Sequence, residues 1–196
     1  TGQVAVEARV RCEAGGLACA VGNGAGRAAS LAVEDVGAGH FRVSGQVHVP
    51  NAPVWWPHTH GDPALVHASL HLEGPGASRE VHLGPIGFRT VELDAQSGQV
   101  RLAVNGRALF ARGACWTVDD SASIDGPPEV LAETLRLAKK AGINLIRVGG
   151  TMVNPSDTFL RLCDELGILV WQDFMFANMD YPIADADFRA EVEAEV

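Results

Sequence analysis

The chain has 196 residues, 47% of them hydrophobic and 20% charged, which suits one or two domains with packed cores. Its formal net charge of −9 disfavours a nucleic-acid partner, because phosphate binding requires clusters of Lys and Arg. The sequence contains no apolar run of about 18 residues, so it predicts no membrane span and no membrane partner.

Short segments with the periodicity of β-strands occupy residues 1 to about 95. In the first of them Val4, Val6 and Val10 alternate with polar or charged residues, as in a half-buried strand. About seven short strands in about 90 residues are typical of an immunoglobulin-like β-sandwich, which we predict for residues 1–95. Separated by turns rich in Gly, Pro and Asn, the further strands are predicted at residues 17–21, 28–34, 41–49, 64–73, 79–83 and 88–93.

From residue 96 to residue 196 strands alternate with helices, which predicts α/β structure with a parallel sheet. A hairpin with an Asn105-Gly106 turn comes first, and a strand that ends near Gly113 follows it. Apolar residues at helical spacing and terminal Pro, Asn and Gly residues mark the helices. In chain order the predicted elements are a helix from Pro128 to Gly142, a strand at residues 144–148, a helix from an Asn154 cap to Gly167, a strand at residues 168–172 and a helix that contains Phe188.

The segment at residues 168–182 carries the clearest functional signal. It begins as an apolar strand and then changes to Trp171, Gln172 and Asp173, after which more aromatic residues follow. In α/β barrels the carboxyl ends of the strands hold the active site. The flat face of an aromatic ring suits the apolar face of a sugar, and a carboxylate accepts hydrogen bonds from sugar hydroxyls. The segment therefore suggests a carbohydrate site.

The candidates for accessory or substrate-binding roles lie at predicted strand ends: Arg147, Asp173, Trp171, Trp116 and Asp119. The guanidinium fork of Arg147 matches a catalytic carboxylate or a sugar hydroxyl, and the alternative is a structural ion pair. Asp173 is predicted to accept hydrogen bonds from sugar hydroxyls or to orient a catalytic acid, and the alternative is a cap on the next turn. Trp171 is either a sugar platform or a core aromatic residue.

Other reactive side chains favour structural interpretations. Asp164 and Glu165 are adjacent on a predicted helix, so they point in different directions and do not form a catalytic pair. A metal or another cofactor is not expected, because no cluster of Cys or carboxylates completes the set of His58, His60, His67 and His71.

The cysteines and the first residue bear on the protein's context. Thr1 in place of Met, with no signal-peptide pattern, indicates a piece of a longer protein whose targeting information lies elsewhere. The compartment is therefore left open, with the cytoplasm slightly favoured. The cysteines have no C-x-x-C spacing and are predicted to be reduced structural thiols, with a Cys12–Cys19 disulfide as the alternative. They are Cys12, Cys19, Cys115 and Cys163.

A set of motifs spread over residues 55–196 resembles the family 2 glycoside hydrolases, and within them the β-mannosidase branch. The stretch from Ile168 to Pro182 is the most specific of them. The others, in the order of the family, are Trp55-Trp56-Pro57 with Gly61 and Pro63, Gly87-Phe88-Arg89, Asn105-Gly106 with Phe110, Arg112 and Gly113, Ala141-Gly142 with Asn144 and Arg147, and residues 163–167.

The resemblance implies a layout and a reaction. In that family a jelly-roll domain precedes an immunoglobulin-like domain and a (β/α)8 TIM barrel, so this chain corresponds to the immunoglobulin-like domain and the first three βα units. The family members are retaining exo-glycosidases, whose two catalytic glutamates follow the fourth and seventh barrel strands. Both are expected to lie outside this chain, which is therefore predicted to be inactive alone and to need the remaining barrel and the jelly roll. The expected substrate is a terminal β-linked sugar.

The chain departs from the family at two positions. β-Mannosidases usually carry a Trp after the Arg-Val of the second strand, whereas Gly149 follows Val148 here. Val118 also replaces a frequent proline.

Two alternatives to an incomplete glycosidase segment stay open for the function. One is a non-catalytic β-sandwich module that binds carbohydrate or protein, and the other is a glycosidase whose pocket accepts another β-sugar or aglycone.

Overall fold

The computed structural model describes residues 2–11, 18–22, 27–49, 51–74, 76–95, 100–118 and 126–195. The chain divides into two compact units, residues 1–110 and residues 111–196. The hairpin around Asn105 therefore belongs to the first unit, although the sequence pattern changes near residue 95. None of the helices in the described ranges is both long and apolar enough to cross a membrane.

The first unit consists of antiparallel sheets. Across the described residues one sheet has the strand order β1-β5-β4, a second β3-β2-β6-β7 and a third β10-β9-β8. In chain order the strands are β1 (Gly2–Arg11), β2 (Ala18–Gly22), β3 (Arg27–Ser30), β4 (Ala32–Gly37), β5 (His40–Val49), β6 (Val66–Gly74), β7 (Ala77–Ile86), β8 (Val91–Asp94), β9 (Arg101–Val104) and β10 (Arg107–Leu109).

The core of the first unit lies between its two larger sheets. Along β5 the side chains of Phe41, Val43, Val47 and Val49 are buried, and those between them are more exposed, as period-two alternation predicts. Val43 and Val47 pack with apolar residues of the other sheet, Val21 of β2 and Leu70 of β6 among them. Burial of this apolar surface is the main stabilising contribution of the unit.

The predicted strand at residues 28–34 is wrong in one respect, because the chain breaks it at Leu31. β3 ends at Ser30 and β4 begins at Ala32, and the two strands belong to different sheets. The side chain of Leu31 is buried in the core cluster. The crossing between the sheets at this residue accounts for the break, which a local pattern of apolar residues does not reveal.

A tryptophan anchors the loop before β6. Trp55 is fully buried, and the guanidinium of Arg89 lies 4.4 Å from its ring centroid, within the range of a cation–π contact. Asn105 ties the predicted hairpin to this loop, because its Nδ2 donates to the Trp55 carbonyl and its Oδ1 accepts from the Thr90 amide. The Asn105-Gly106 turn is confirmed, and both residues have positive φ as a tight turn of this type requires.

The second unit alternates parallel strands and helices. Its sheet has the order β11-β12-β13 across the described residues, and all pairings in it are parallel. In chain order the elements are β11 (Gly113–Trp116), α1 (Pro128–Lys140), β12 (Leu145–Val148), α2 (Asp157–Leu166), β13 (Leu169–Gln172) and α3 (Ala186–Glu195). The core lies between one face of this sheet and the helices α1 and α2, and it contains Leu135, Ile146, Val148 and Phe159.

Two predicted boundaries in this unit are wrong. Asn154 does not cap α2, because the N-cap is Ser156, whose Oγ accepts from the Phe159 amide. Asn154 precedes Pro155, and the residue before a proline is disfavoured in helical conformation. The strand near Gly113 begins there instead of ending there, since the ladder with β12 starts at the pair Gly113 and Leu145.

A buried asparagine aligns the starts of the parallel strands. Asn144 is only 2% exposed; its Oδ1 accepts from the Arg112 amide, 2.9 Å away, and its own amide donates to the Arg112 carbonyl at 3.0 Å. Its carbonyl accepts from the Leu169 amide at 2.9 Å. These bonds connect the starts of β11, β12 and β13, so they fix the register of all three strands at their amino ends.

Candidate functional site

Strand alternation assigns the side chains of the parallel sheet to two faces. Ile146 and Val148 of β12 are buried in the core beneath the helices, so Arg147 between them lies on the opposite face. The register places Cys115 of β11 and Trp171 of β13 on either side of Arg147. These three residues therefore form a row across the face that α1 and α2 do not cover.

Arg147 and Asp173 form a bidentate ion pair at the carboxyl ends of β12 and β13. Nε of Arg147 donates to Oδ1 of Asp173 at 3.3 Å, and Nη2 donates to Oδ2. Asp173 is held at the end of β13 because its amide donates to the Val148 carbonyl at 3.0 Å. The arginine side chain is half exposed, and that of Asp173 is 23% exposed, so both remain accessible to a ligand.

The neighbours of Arg147 stabilise its charged form. The hydrogen bond to Asp173 is the main cause that raises the pKa of Arg147 above its ordinary value. The second cause is the contact between Nη1 and the Sγ of Cys115, 4.0 Å apart. A fixed cation and an anion that accepts hydrogen bonds thus stand side by side at the strand ends.

An aromatic surface continues from the ion pair. Trp171 is 49% exposed, and Phe174 and Phe176 follow it with stacked rings whose centroids are 6.0 Å apart. Phe176 also contacts Tyr181 and Phe188, and the hydroxyl of Tyr181 donates to the Met175 carbonyl. These contacts hold the segment after β13 against α3, so the aromatic rings keep a defined arrangement.

A cavity of about 720 Å³ adjoins this aromatic surface. Its lining includes Asp173 and Gln172 at the end of β13 and the rings of Phe174, Phe176 and Phe188. The combination of apolar rings with a few polar groups is common in sites for small organic ligands.

The structure does not bring every candidate residue to this group. Trp116 pairs with Val148 in the ladder, and its ring packs against Phe159 with centroids 4.8 Å apart, so it lies on the helix-covered face. Asp119 lies outside the described residues. Cys115 is a neighbour of Arg147 that sequence reasoning assigned to a structural thiol, and the parallel register is the signal that identifies its position.

The side chains that were given structural interpretations lie elsewhere. Glu165 forms an exposed ion pair with Arg161 on α2 at 2.7 Å. His71 contacts Ser69 and lies 3.7 Å from a carboxylate oxygen of Glu80. Among the described residues no three His, Cys, Asp or Glu side chains group closely enough to hold a metal ion. Cys12 lies outside the described residues, so the alternative disulfide lies outside them too.

Comparison with known proteins identifies relatives of this chain. No family model matches the chain. The β-mannosidase of Bos taurus is 38% identical over 148 residues, which cover 72% of this chain and 17% of that relative. The solved β-D-mannosidase of Dictyoglomus thermophilum superposes with a TM-score of 0.72 at 27% identity, over 98% of this chain and 25% of that chain.

A second solved structure extends the likeness of the fold. The exo-chitosanase of Amycolatopsis orientalis superposes with a TM-score of 0.68 at 23% identity, over 88% of this chain and 20% of that chain. At this identity the likeness concerns the fold alone.

The chain is related to the β-mannosidase-like branch of the family 2 glycoside hydrolases. The match covers 17% of the bovine relative's length.

Proposed function

We propose that the chain is a segment of a retaining exo-β-glycosidase of the β-mannosidase type, and that it supplies one wall of the substrate site. The observation that carries the proposal is the accessible Arg147–Asp173 pair beside Trp171 at the carboxyl ends of parallel strands. This is where α/β barrels place their chemistry. The similarity to glycoside hydrolases supports a carbohydrate as the ligand class of this wall.

The order of the strands supports an immunoglobulin-like domain at residues 1–95. In such domains strands B, E and D are neighbours in one sheet and C, F and G in the other. The orders β1-β5-β4 and β3-β2-β6-β7 fit this pattern when β1, β5 and β4 stand for B, E and D and when β2, β6 and β7 stand for C, F and G. β3 is then an additional strand beside C.

The second part of the proposal is that residues 96–196 hold the first three βα units of a TIM barrel. The alternation of β11, β12 and β13 with α1, α2 and α3 supports it, as do the parallel pairings. The face that carries Arg147 and Trp171 is then the inner face of the barrel, and the face beneath α1 and α2 is the outer one.

The residues of the wall have separate roles in this proposal. The carboxylate of Asp173 accepts hydrogen bonds from sugar hydroxyls, and the guanidinium of Arg147 donates to a substrate oxygen or to a catalytic carboxylate. Trp171 offers a flat apolar face to the sugar ring. Trp116 and Asp119 stay candidates from the sequence, and the position of Trp116 beneath Phe159 makes a supporting role the simpler one for it.

Catalysis is expected to need more of the enzyme than this chain. Retention of configuration requires two carboxyl groups about 5–5.5 Å apart, one as nucleophile and one as acid and base. The family resemblance assigns both to glutamates on later barrel strands. The 196-residue chain is therefore expected to bind a sugar weakly at most and not to hydrolyse it.

An assay of two polypeptides tests the proposed function. The 196-residue chain and the longer encoded polypeptide that contains it are incubated with 4-nitrophenyl β-mannoside, β-glucoside and β-galactoside, and release of nitrophenol is measured. Hydrolysis by the longer polypeptide alone is the expected result. Turnover by the short chain would contradict its role as an incomplete segment, and no turnover by the longer one on any β-glycoside would contradict the glycosidase function.

A further inference from the structure

Two consecutive glycines follow β12, and their surroundings differ. A Cβ atom on Gly150 would lie 2.6 Å from the Phe174 carbonyl oxygen and 3.5 Å from the Cβ of Ala177. The first distance is shorter than van der Waals contact, so the backbone after β13 requires glycine at this position. Among the described residues a Cβ atom on Gly149 would meet no atom within 4 Å, and the φ of Gly149 lies outside the left-handed region. Neither packing nor backbone conformation therefore requires glycine at residue 149.

Gly149 follows the carboxyl end of β12, beside the ion pair. The carbonyl of the preceding residue, Val148, accepts from the Asp173 amide, so the parallel alignment of β12 and β13 continues to this point. Alternation along β12 assigns residue 149 to the same face as Arg147, two residues earlier. The chain then turns away, because the Met152 amide donates to the Gly149 carbonyl at 2.9 Å and Met152 packs against the helix-covered core.

A glycine without a local requirement lowers stability, because it increases the conformational entropy of the unfolded chain. Glycine at such a place in a strand end is typical where a ligand or another backbone approaches closely. The adjoining Arg147 and Asp173 provide the polar groups that a sugar at this place would contact.

We propose that Gly149 is a specificity-determining residue, because its missing side chain leaves room for a pyranose ring to lie against the backbone at the end of β12. This inference rests on the proposed glycosidase function and names a contact within its site. The ligand is the terminal ring of a β-glycoside, with its hydroxyls on Arg147 and Asp173. A side chain at residue 149 would occupy the volume of that ring.

The test compares Gly149→Ala and Gly149→Leu with the unmodified longer polypeptide. The substrate is the 4-nitrophenyl β-glycoside that the unmodified protein cleaves best. The expected kcat/KM of Gly149→Leu is about 100-fold lower, since displacement of a substrate by about 1 Å has this effect, and Gly149→Ala falls between the two. The thermal midpoint of Gly149→Ala is expected to equal or exceed that of the unmodified protein, because the added Cβ meets no described atom within 4 Å, and that of Gly149→Leu is expected not to fall below it if the space is open to a ligand.

A matched control places the same bulk elsewhere in the unit. Ala141 is exposed at the end of α1, before β12 begins. Ala141→Leu therefore adds a side chain near the amino end of β12, away from the ion pair at its carboxyl end. Its kcat/KM is expected to stay within about twofold of the unmodified value.

Three results would overturn the inference. An unchanged kcat/KM for Gly149→Leu would mean that no substrate uses the space. A lower thermal midpoint for this variant would mean that another part of the protein fills it. Hydrolysis of no β-glycoside by the unmodified polypeptide would remove the proposed function itself, whereas the first two results would leave that function intact.

Discussion

Arg147 and Asp173 illustrate how an ion pair can matter more for a ligand than for the fold. Because the arginine is half exposed, water screens the pair and its contribution to stability is small. In the longer polypeptide, Asp173→Asn is expected to lower kcat/KM by about 100-fold or more, since Arg147 loses the charged partner that fixes its orientation. Steady-state kinetics with a nitrophenyl β-glycoside measures the effect.

The pair Arg161–Glu165 on the surface of α2 provides a matched control for this substitution. It is also an exposed arginine–carboxylate pair, with a distance of 2.7 Å. Glu165→Gln is expected to leave kcat/KM unchanged, and both substitutions are expected to shift the urea midpoint very little. Equal kinetic effects of the two substitutions would show that Asp173 has no special part in the site.

The two cysteines whose side chains are described should differ sharply in reactivity. Burial raises the pKa of the Cys163 thiol to about 12, and the charge of Asp164 adds to the effect, whereas Cys115 is exposed. With Cys12 and Cys19 replaced by serine, one thiol is expected to react with Ellman's reagent in the native protein at pH 8 and the second only after unfolding. Rapid reaction of both would contradict the burial of Cys163.

The raised pKa of the Cys163 thiol predicts a loss of stability at alkaline pH. Between about pH 9 and 12 the thiol of Cys163 is ionised in the unfolded chain and protonated in the folded one. The unfolded state then binds fewer protons, so the contribution of this group to the free energy of unfolding decreases as the pH rises. Urea titrations of the unmodified protein and Cys163→Ala should converge in this window, and parallel pH profiles would contradict the prediction.

At the residue scale the sequence predicts which residues lie at strand ends but not which face they occupy. The sequence offers Arg147 and Asp173 as separate candidates, and their contact depends on a register that no local pattern contains. Trp116 was assigned to the same edge, yet it packs beneath Phe159 because β11 begins at Gly113. That starting point is set by hydrogen bonds between Arg112 and Asn144, which are distant in sequence.

At the scale of single elements, the start of α2 separates two candidate caps. Ser156 accepts from the Phe159 amide at 3.3 Å, whereas Asn154 lies before Pro155 and outside the helix. Ser156→Ala is therefore expected to lower the free energy of unfolding by about 1 kcal/mol. Asn154→Ala is the matched control and should leave it nearly unchanged; equal losses in urea titrations would contradict the assignment of the cap.

The parallel sheet depends on Asn144 in a comparable way. Asn144→Ala removes the acceptor of the part-buried hydrogen bond from the Arg112 amide, and its loss is expected to lower the free energy of unfolding by about 1 kcal/mol. The loss should appear in the urea midpoint. Because this bond sets the start of β11, broadened NMR signals of Cys115 and Arg147 are expected as well, and a lower midpoint with unchanged signals would assign Asn144 to stability alone.

Periodicity locates most of these elements, because apolar side chains repeat every second residue in strands and every three to four residues in helices. It predicts β5, the hairpin of β9 and β10, and the helices α1 and α2. It fails where a tertiary requirement interrupts a local pattern, as at Leu31, where the chain changes sheets. The order of strands within the sheets also escapes it, since the pairings of β1 with β5 and β2 with β6 join distant segments.

At the scale of the whole molecule, the two units should differ in their resistance to local opening. β5 lies between β1 and β4, and Val43 and Val47 on it are almost completely buried. Within the part of the chain that the structure describes, β13 pairs with β12 alone, and Trp171, Phe174 and Met179 expose apolar surface close to it. Strands with one paired edge and few buried contacts open at lower free energy. In hydrogen exchange on the monomeric 196-residue chain, the amides of Leu169–Gln172 are therefore expected to exchange well before those of β5. Equal protection of the two strands in a monomer would show that the second unit is stable without further strands, and it would weaken the assignment of this unit to part of a larger barrel.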